Sequence, residues 1–187
     1  LVLPNAPYGI QAFVGTATAL ARIASVEVWA VVGVANALLG GAAVGMVGLI
    51  GRRLASPTIG LVAACVVAIT PELVLGAVPI MSEPLFTALA LACVLVALGP
   101  ATRRRALVFG FLVGLAAAVR PVGLPLVALA AGMVATGWRE RARNLGWAGL
   151  AVVAVLAPLA VRASIAADTV VVSDLRVGTN WCIGRLP

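Results

Sequence analysis

The sequence predicts an all-α polytopic membrane protein, with about six transmembrane helices and one interfacial or re-entrant helix at the N-terminus. Three observations carry that prediction. Of 187 residues, 63% are apolar and only 10% charged, whereas a soluble domain is about half apolar and about a quarter charged. The mean hydropathy is +1.17, which leaves too little polar surface to coat a water-soluble globule. The apolar residues also fall in long runs that end at arginine clusters, prolines or acidic residues. The formal charge of +7 does not indicate nucleic acid. The basic residues occupy short gaps between apolar runs, so the charge is read first by position.

The runs follow one another in order. Pro7 to Ala21 is apolar and ends in Arg22, as either a seventh span or a helix lying in the outer interface. Val28 to Ile50 is long enough to cross a bilayer and closes on Arg52 and Arg53. Thr58 to about Leu75 follows, then a break with Pro71, Glu72 and Pro79. Pro84 to Leu98 ends before Arg103, Arg104 and Arg105. Ala106 to Val119 is short for a full crossing and stops at Arg120-Pro121. Val122 to Gly137 leads to Trp138, Arg139, Arg141 and Arg143, and Leu145 to Val161 ends at Arg162. From Ile165 the character changes. Thr169 to Ser173 reads as a short strand and Asp174 to Gly178 as a turn, the start of an outer, water-exposed segment. The domain division is therefore an outer interfacial helix and loop at 1–27, a transmembrane helical domain at 28–163 and an extracytoplasmic segment at 164–187.

Charge sets the sidedness. Arg52, Arg53, Arg103, Arg104, Arg105, Arg139, Arg141 and Arg143 fall in three alternate loops, net +7 once Glu140 is counted. The positive-inside rule assigns those loops to the cytoplasm and the chain to the plasma membrane as a multi-pass protein, with its C-terminal segment outside. On the other side Arg22, Arg120, Arg162, Arg176 and Arg185 balance Glu27, Glu72, Glu83, Asp168 and Asp174. Trp29, Trp138 and Trp147 stand at span ends, where amphipathic rings favour the headgroup level. Gly41 with Gly45, and Gly110 with Gly114, have the four-residue spacing of close helix contacts.

Few residues can carry chemistry. All 13 basic residues are arginine and histidine is absent, so acid–base work falls to Asp, Glu or Cys. Cys65, Cys93 and Cys182 are scattered and suggest neither a disulfide nor a metal site. Glu83, in Met81-Ser82-Glu83-Pro84, is the sharpest candidate. A plainer role is available to it: Ser82 as helix cap, Pro84 in the first turn and the carboxylate facing the helix dipole. Glu72 flanks the same outer loop. The two carboxylates could hold a divalent cation, the one cofactor this chain suggests, or polarise a hydroxyl. Arg120 ends a short helix, where a planar fork suits a lipid phosphate; a snorkelling helix-end arginine is the plainer reading. Arg162 is a weaker equivalent.

The order of these features resembles the middle of a GT-C-type membrane glycosyltransferase, of the protein-mannosyltransferase and aminoarabinose-transferase kind. The resemblance rests on Pro7-Tyr8, Gly51-Arg52-Arg53-Leu54, Thr70-Pro71 and Met81-Ser82-Glu83-Pro84-Leu85-Phe86. It continues through Gly110-Phe111-Leu112-Val113-Gly114-Leu115, Val119-Arg120-Pro121, Ala157-Pro158 with Arg162, and Gly178-Thr179-Asn180 with Gly184 and Pro187. It implies transfer of a sugar from a polyprenyl-phosphate donor to an acceptor on the outer face. Membrane lipid and that donor are then the partners, and the acceptor has no signature. Glu83 matches the family's acidic residue at the start of its span, and Arg120 a basic residue near the donor. The family's main catalytic carboxylate lies in an earlier outer loop, and neither Glu27 nor Asp168 occupies its place. The chain begins at Leu1 and so reads as a central fragment, inactive alone. Two other readings use the same residues: a transporter or lipid flippase, and a non-catalytic membrane scaffold.

Overall fold

A computed structural model describes residues 8–71, 82–132 and 137–167 of the chain. Every regular element among the described residues is helical. They are α1 (Tyr8–Ala24), α2 (Val28–Leu54), α3 (Pro57–Ala68), α4 (Glu83–Ala97), α5 (Arg103–Val119), a 3-10 segment (Pro121–Gly132) and α6 (Trp138–Ala167).

Prolines and caps set the boundaries. Ser56 accepts the Ile59 N–H at 3.2 Å and Pro57 occupies the first turn of α3, the N-terminal chemistry a helix needs for its orphan donors. Thr102 does the same for α5, accepting from the Arg105 N–H at 3.3 Å. Pro121 holds Arg120 in an extended conformation, φ −145° and ψ 126°, and α5 stops there. Between α1 and α2, Val26 N–H bonds back to Ala21 and Ser25 N–H to Arg22. Ser25 has φ 55°, so this is a Schellman turn with serine in the place glycine usually takes.

Close contacts fix the packing directions. A side-chain carbon on Gly51 would lie 2.8 Å from Gly60, and one on Gly48 would lie 3.3 Å from Ala64, so α2 and α3 run antiparallel. The contacts of Gly110 with Ala148 and Gly114 with Val155 advance together, so α5 and α6 run parallel. The 3-10 segment returns the chain between them. α5 is the most buried helix, and its Phe109 and Val113 form the core with Cys93 of α4 and Ala148 and Val152 of α6. The spacing at Gly110 and Gly114 thus serves helix contact as expected. Carbons at Gly41 and Gly45 would meet open space.

The expectation of about six transmembrane helices is overturned. Among the described residues two helices are long and apolar enough to cross a membrane, Val28–Leu54 and Trp138–Arg162. α3 has 12 residues and α4 has 15, about 18 Å and 22 Å of helix. Both fall short of a hydrocarbon core about 30 Å thick. α5 has 17 residues, and its first three are arginines. The expected fifth span, Val122 to Gly137, is instead occupied over Pro121–Gly132 by a 3-10 helix with Pro125 inside it. An apolar run bounded by charges measures composition, whereas a crossing needs uninterrupted helical rise; Pro71 and Pro125 fall inside these runs and Pro121 stops another. α6 departs the other way, running 30 residues through Pro158 and past Arg162 to Ala167. The strand expected at Thr169 to Ser173 and the outer segment that follows lie outside the described residues.

Arginines gather at one end of the molecule. Arg53, at the end of α2, donates to the Leu95 carbonyl near the end of α4 at 3.1 Å. Arg105 lies where a Gly99 side chain would sit, and the Arg103 guanidinium stacks 4.1 Å from the centroid of the Trp147 ring. The three arginine-bearing loops therefore come together, and α5 and α6 both start there. The start of α4 and the end of α5 form the opposite end.

Candidate functional site

Two residues 37 positions apart meet at that opposite end: Arg120 Nη2 forms a salt bridge with Glu83 Oε1. The Arg120 Nε also donates to Ser82 Oγ at 2.8 Å. Both charged side chains keep contact with solvent, 37% exposed for Arg120 and 49% for Glu83.

Local sequence explains why the cation is held so firmly. The Arg120 N–H still bonds to Ala116 and its carbonyl accepts from Gly123, each at 2.8 Å. The chain turns so tightly that a side-chain carbon on Gly123 would come within 2.8 Å of the Ala116 and Ala117 backbone. Glycine is required there by close approach. α1 closes the elbow from outside, since a carbon on Gly9 would lie 2.8 Å from the Val119 backbone. Pro121 supplies the direction change and Gly9 and Gly123 the clearance, so Arg120 projects from a rigid turn toward the first turn of α4. Glu83 is the first residue of that helix and Pro84 follows it, where a carboxylate complements the partial positive charge of the helix end.

The structure divides the plainer reading of Ser82. Ser82 stands at the helix start, but its side chain makes no capping bond; its hydroxyl oxygen serves Arg120 instead. Ser82 thus joins the constellation as a positioning group, a role its cap-like sequence context hid. A guanidinium carries five N–H donors, and Ser82 and Glu83 engage two of Arg120's. About three remain to grip a second anion.

The other expected site residues fare differently. Glu72 lies outside the described residues. Among the described residues no three acidic, cysteine or histidine groups converge. Arg162 is exposed on α6. Because Gly114 stands beside Val155 on parallel helices, Arg162 comes at about the level of Arg120, yet among the described residues no bond joins it to the pair. Two polar residues that the sequence reading passed over are deeply buried, Asn36 on α2 and Asn144 on α6, each 1% exposed. A lone amide within an apolar run is the signal that would have found Asn36, whereas Asn144 sits beside Arg143 and carries no such signal. The Asn144 Nδ2 has no hydrogen-bond partner among the described residues.

Comparison with protein-family models, with curated proteins and with solved structures finds no match to this chain.

Proposed function

We propose that this chain is part of an integral-membrane glycosyltransferase, moving a sugar from a polyprenyl-phosphate donor to an acceptor hydroxyl. The observation that carries the reading is the convergence of Ser82, Glu83 and Arg120 at the end of the bundle remote from the arginine loops. These are the residue types the reaction needs. As the acceptor oxygen bonds to the anomeric carbon, the bond from that carbon to the phosphate oxygen breaks. Negative charge then grows on the phosphate, where a positioned guanidinium stabilises it. A carboxylate beside it orients the acceptor hydroxyl and can take its proton. In the structure the two charges satisfy each other. A bound lipid phosphate takes over Arg120 and releases Glu83 toward the acceptor. The resemblance to GT-C enzymes places the main catalytic carboxylate outside this chain, which leaves Glu83 to support the acceptor.

In this reading the arginine end is cytoplasmic and the Glu83–Arg120 end faces outward, in the plasma membrane. The decisive experiment measures sugar transfer from a polyprenyl-phosphate donor in membranes containing the full protein. Glu83→Gln should lower transfer about tenfold or more with membrane insertion unchanged. Arg120→Lys, which keeps the charge but loses the fork, should raise the donor KM. Wild-type transfer in Glu83→Gln would overturn the reading and leave the ion pair as a tie between α4 and α5, the role a scaffold would give it.

A further inference from the structure

The arginine end holds a second feature, independent of the transfer site. An open groove of about 550 Å³ runs between α5 and α6, lined by Leu107, Val108, Phe111, Leu150, Ala154 and Val155 among others. Its walls are apolar and face outward, with Phe111 51% and Leu150 57% exposed. The two helices are parallel, so both walls lead back to the arginine end together. One turn before Leu107 and Val108 stand Arg103 and Arg104, both exposed. One turn before Leu150 and Ala151 stands Trp147, whose ring Arg103 covers at 4.1 Å. One turn earlier still is exposed Arg143.

Electrostatics leave this end short of negative charge. Arg103, Arg104 and Arg105 occupy the first turn of α5, where the helix dipole already presents partial positive charge. The first turn of α6 lies alongside with Arg139 and Arg141, and Glu140 is its one acid. Cations at two neighbouring helix starts repel one another and oppose both dipoles, and an anion there relieves both penalties. Arg105 is turned away onto Gly99, which leaves Arg103, over the Trp147 ring, and the exposed Arg104, one turn before Val108, as the arginines of α5 nearest the groove's mouth. Arginine grips a phosphodiester through paired N–H donors, and the wall beyond offers only hydrocarbon contact.

We infer that the α5–α6 groove is a binding site for an anionic phospholipid, with one acyl chain along Leu107, Phe111 and Leu150 and the headgroup phosphate on Arg103 and Arg104. Charge complementarity selects this occupant, because an apolar peptide would leave the arginines unanswered and a zwitterionic lipid would answer them weakly. The positive-inside rule accounts for arginines in a loop; it does not account for a hydrocarbon groove aligned with them.

The test uses the whole protein in lipid nanodiscs, with every tryptophan except Trp147, including Trp29, Trp138 and Trp181, replaced by phenylalanine so that Trp147 reports alone. Phosphatidylglycerol and phosphatidylcholine, each brominated along the acyl chains, are compared as quenchers in a background of unlabelled phosphatidylcholine. The anionic lipid should reach half-maximal quenching at about tenfold lower mole fraction. Arg103→Gln with Arg104→Gln should abolish most of that difference, and Ala151→Phe, which fills the groove, should weaken quenching by both lipids. Soluble glycerol phosphate should leave the quenching unchanged. Equal quenching by the two lipids in the parent protein, a comparison that needs no altered arginine, would overturn the inference. Relief of quenching by glycerol phosphate would also overturn it, since the headgroup alone would then suffice.

Discussion

Scarcity made the important side chains legible. With six acidic residues in the whole chain, a carboxylate beside an apolar run is conspicuous, and so is an arginine that ends a run which is too short. Composition picked out Glu83 and Arg120 separately, and only the fold joins them. Ser82 was misjudged because a serine before Glu-Pro carries the same sequence signature whether it caps the helix or not. Its backbone sits in the helical region, φ −81° and ψ −12°, away from the extended geometry of a working cap. The half-exposed ion pair is worth no more than about 1 kcal/mol of stability, so a large functional effect of Glu83→Gln is not a folding effect. Glycines divide equally clearly. An alanine carbon at Gly110 would run into the Ala148 backbone, and Gly110→Ala should cost about 1–3 kcal/mol. Gly45→Ala enters open space and should stabilise α2 by about 0.5–1 kcal/mol. Reversible unfolding in mixed micelles separates the two, and equal shifts would refute the close approach of Gly110 to Ala148.

Element boundaries followed from local chemistry wherever the signal was a cap or a proline. Ser56-Pro57 and Thr102 start helices through side-chain capping bonds, and Arg120-Pro121 ends one. Ser56→Ala should loosen the start of α3 by about 1 kcal/mol, read as faster amide exchange confined to its first turn. Ser25 is the opposite case. It holds a left-handed conformation without being glycine, so Ser25→Gly should stabilise the α1–α2 turn by about 1 kcal/mol. A loss of stability there would show that the serine side chain has a role of its own. The six-span expectation failed at this scale. Counting apolar residues treats every run as helix of full rise, but twelve residues of α3 or a proline-interrupted 3-10 turn cannot be lengthened by hydrophobicity.

Taken whole, the molecule covers little of its own apolar surface. Along the apolar stretches of α2 and α6 only about a sixth of the residues are buried within the fold. A soluble protein's core helix would be mostly covered, so the open apolar faces of these two are compatible with membrane association. If α2 crosses a bilayer as proposed, its ends differ in access. A cysteine placed at Ser56, in a background with Cys65, Cys93 and Cys182 changed to alanine, should react with a membrane-impermeant maleimide only from the cytoplasmic side. Labelling from outside intact cells would invert the orientation. The sequence by itself determined the helical class, the apolar character, the grouping of arginines in three loops and the two charges, Glu83 and Arg120, that stand at the opposite end. Each of these is written in composition or in contacts between near neighbours. Only the tertiary structure decided which helices have the length to cross a membrane, that α5 and α6 run parallel, and that Glu83 meets Arg120. Those outcomes depend on how backbone rise, proline breaks and glycine clearances combine over long separations, and no single run of residues contains that sum.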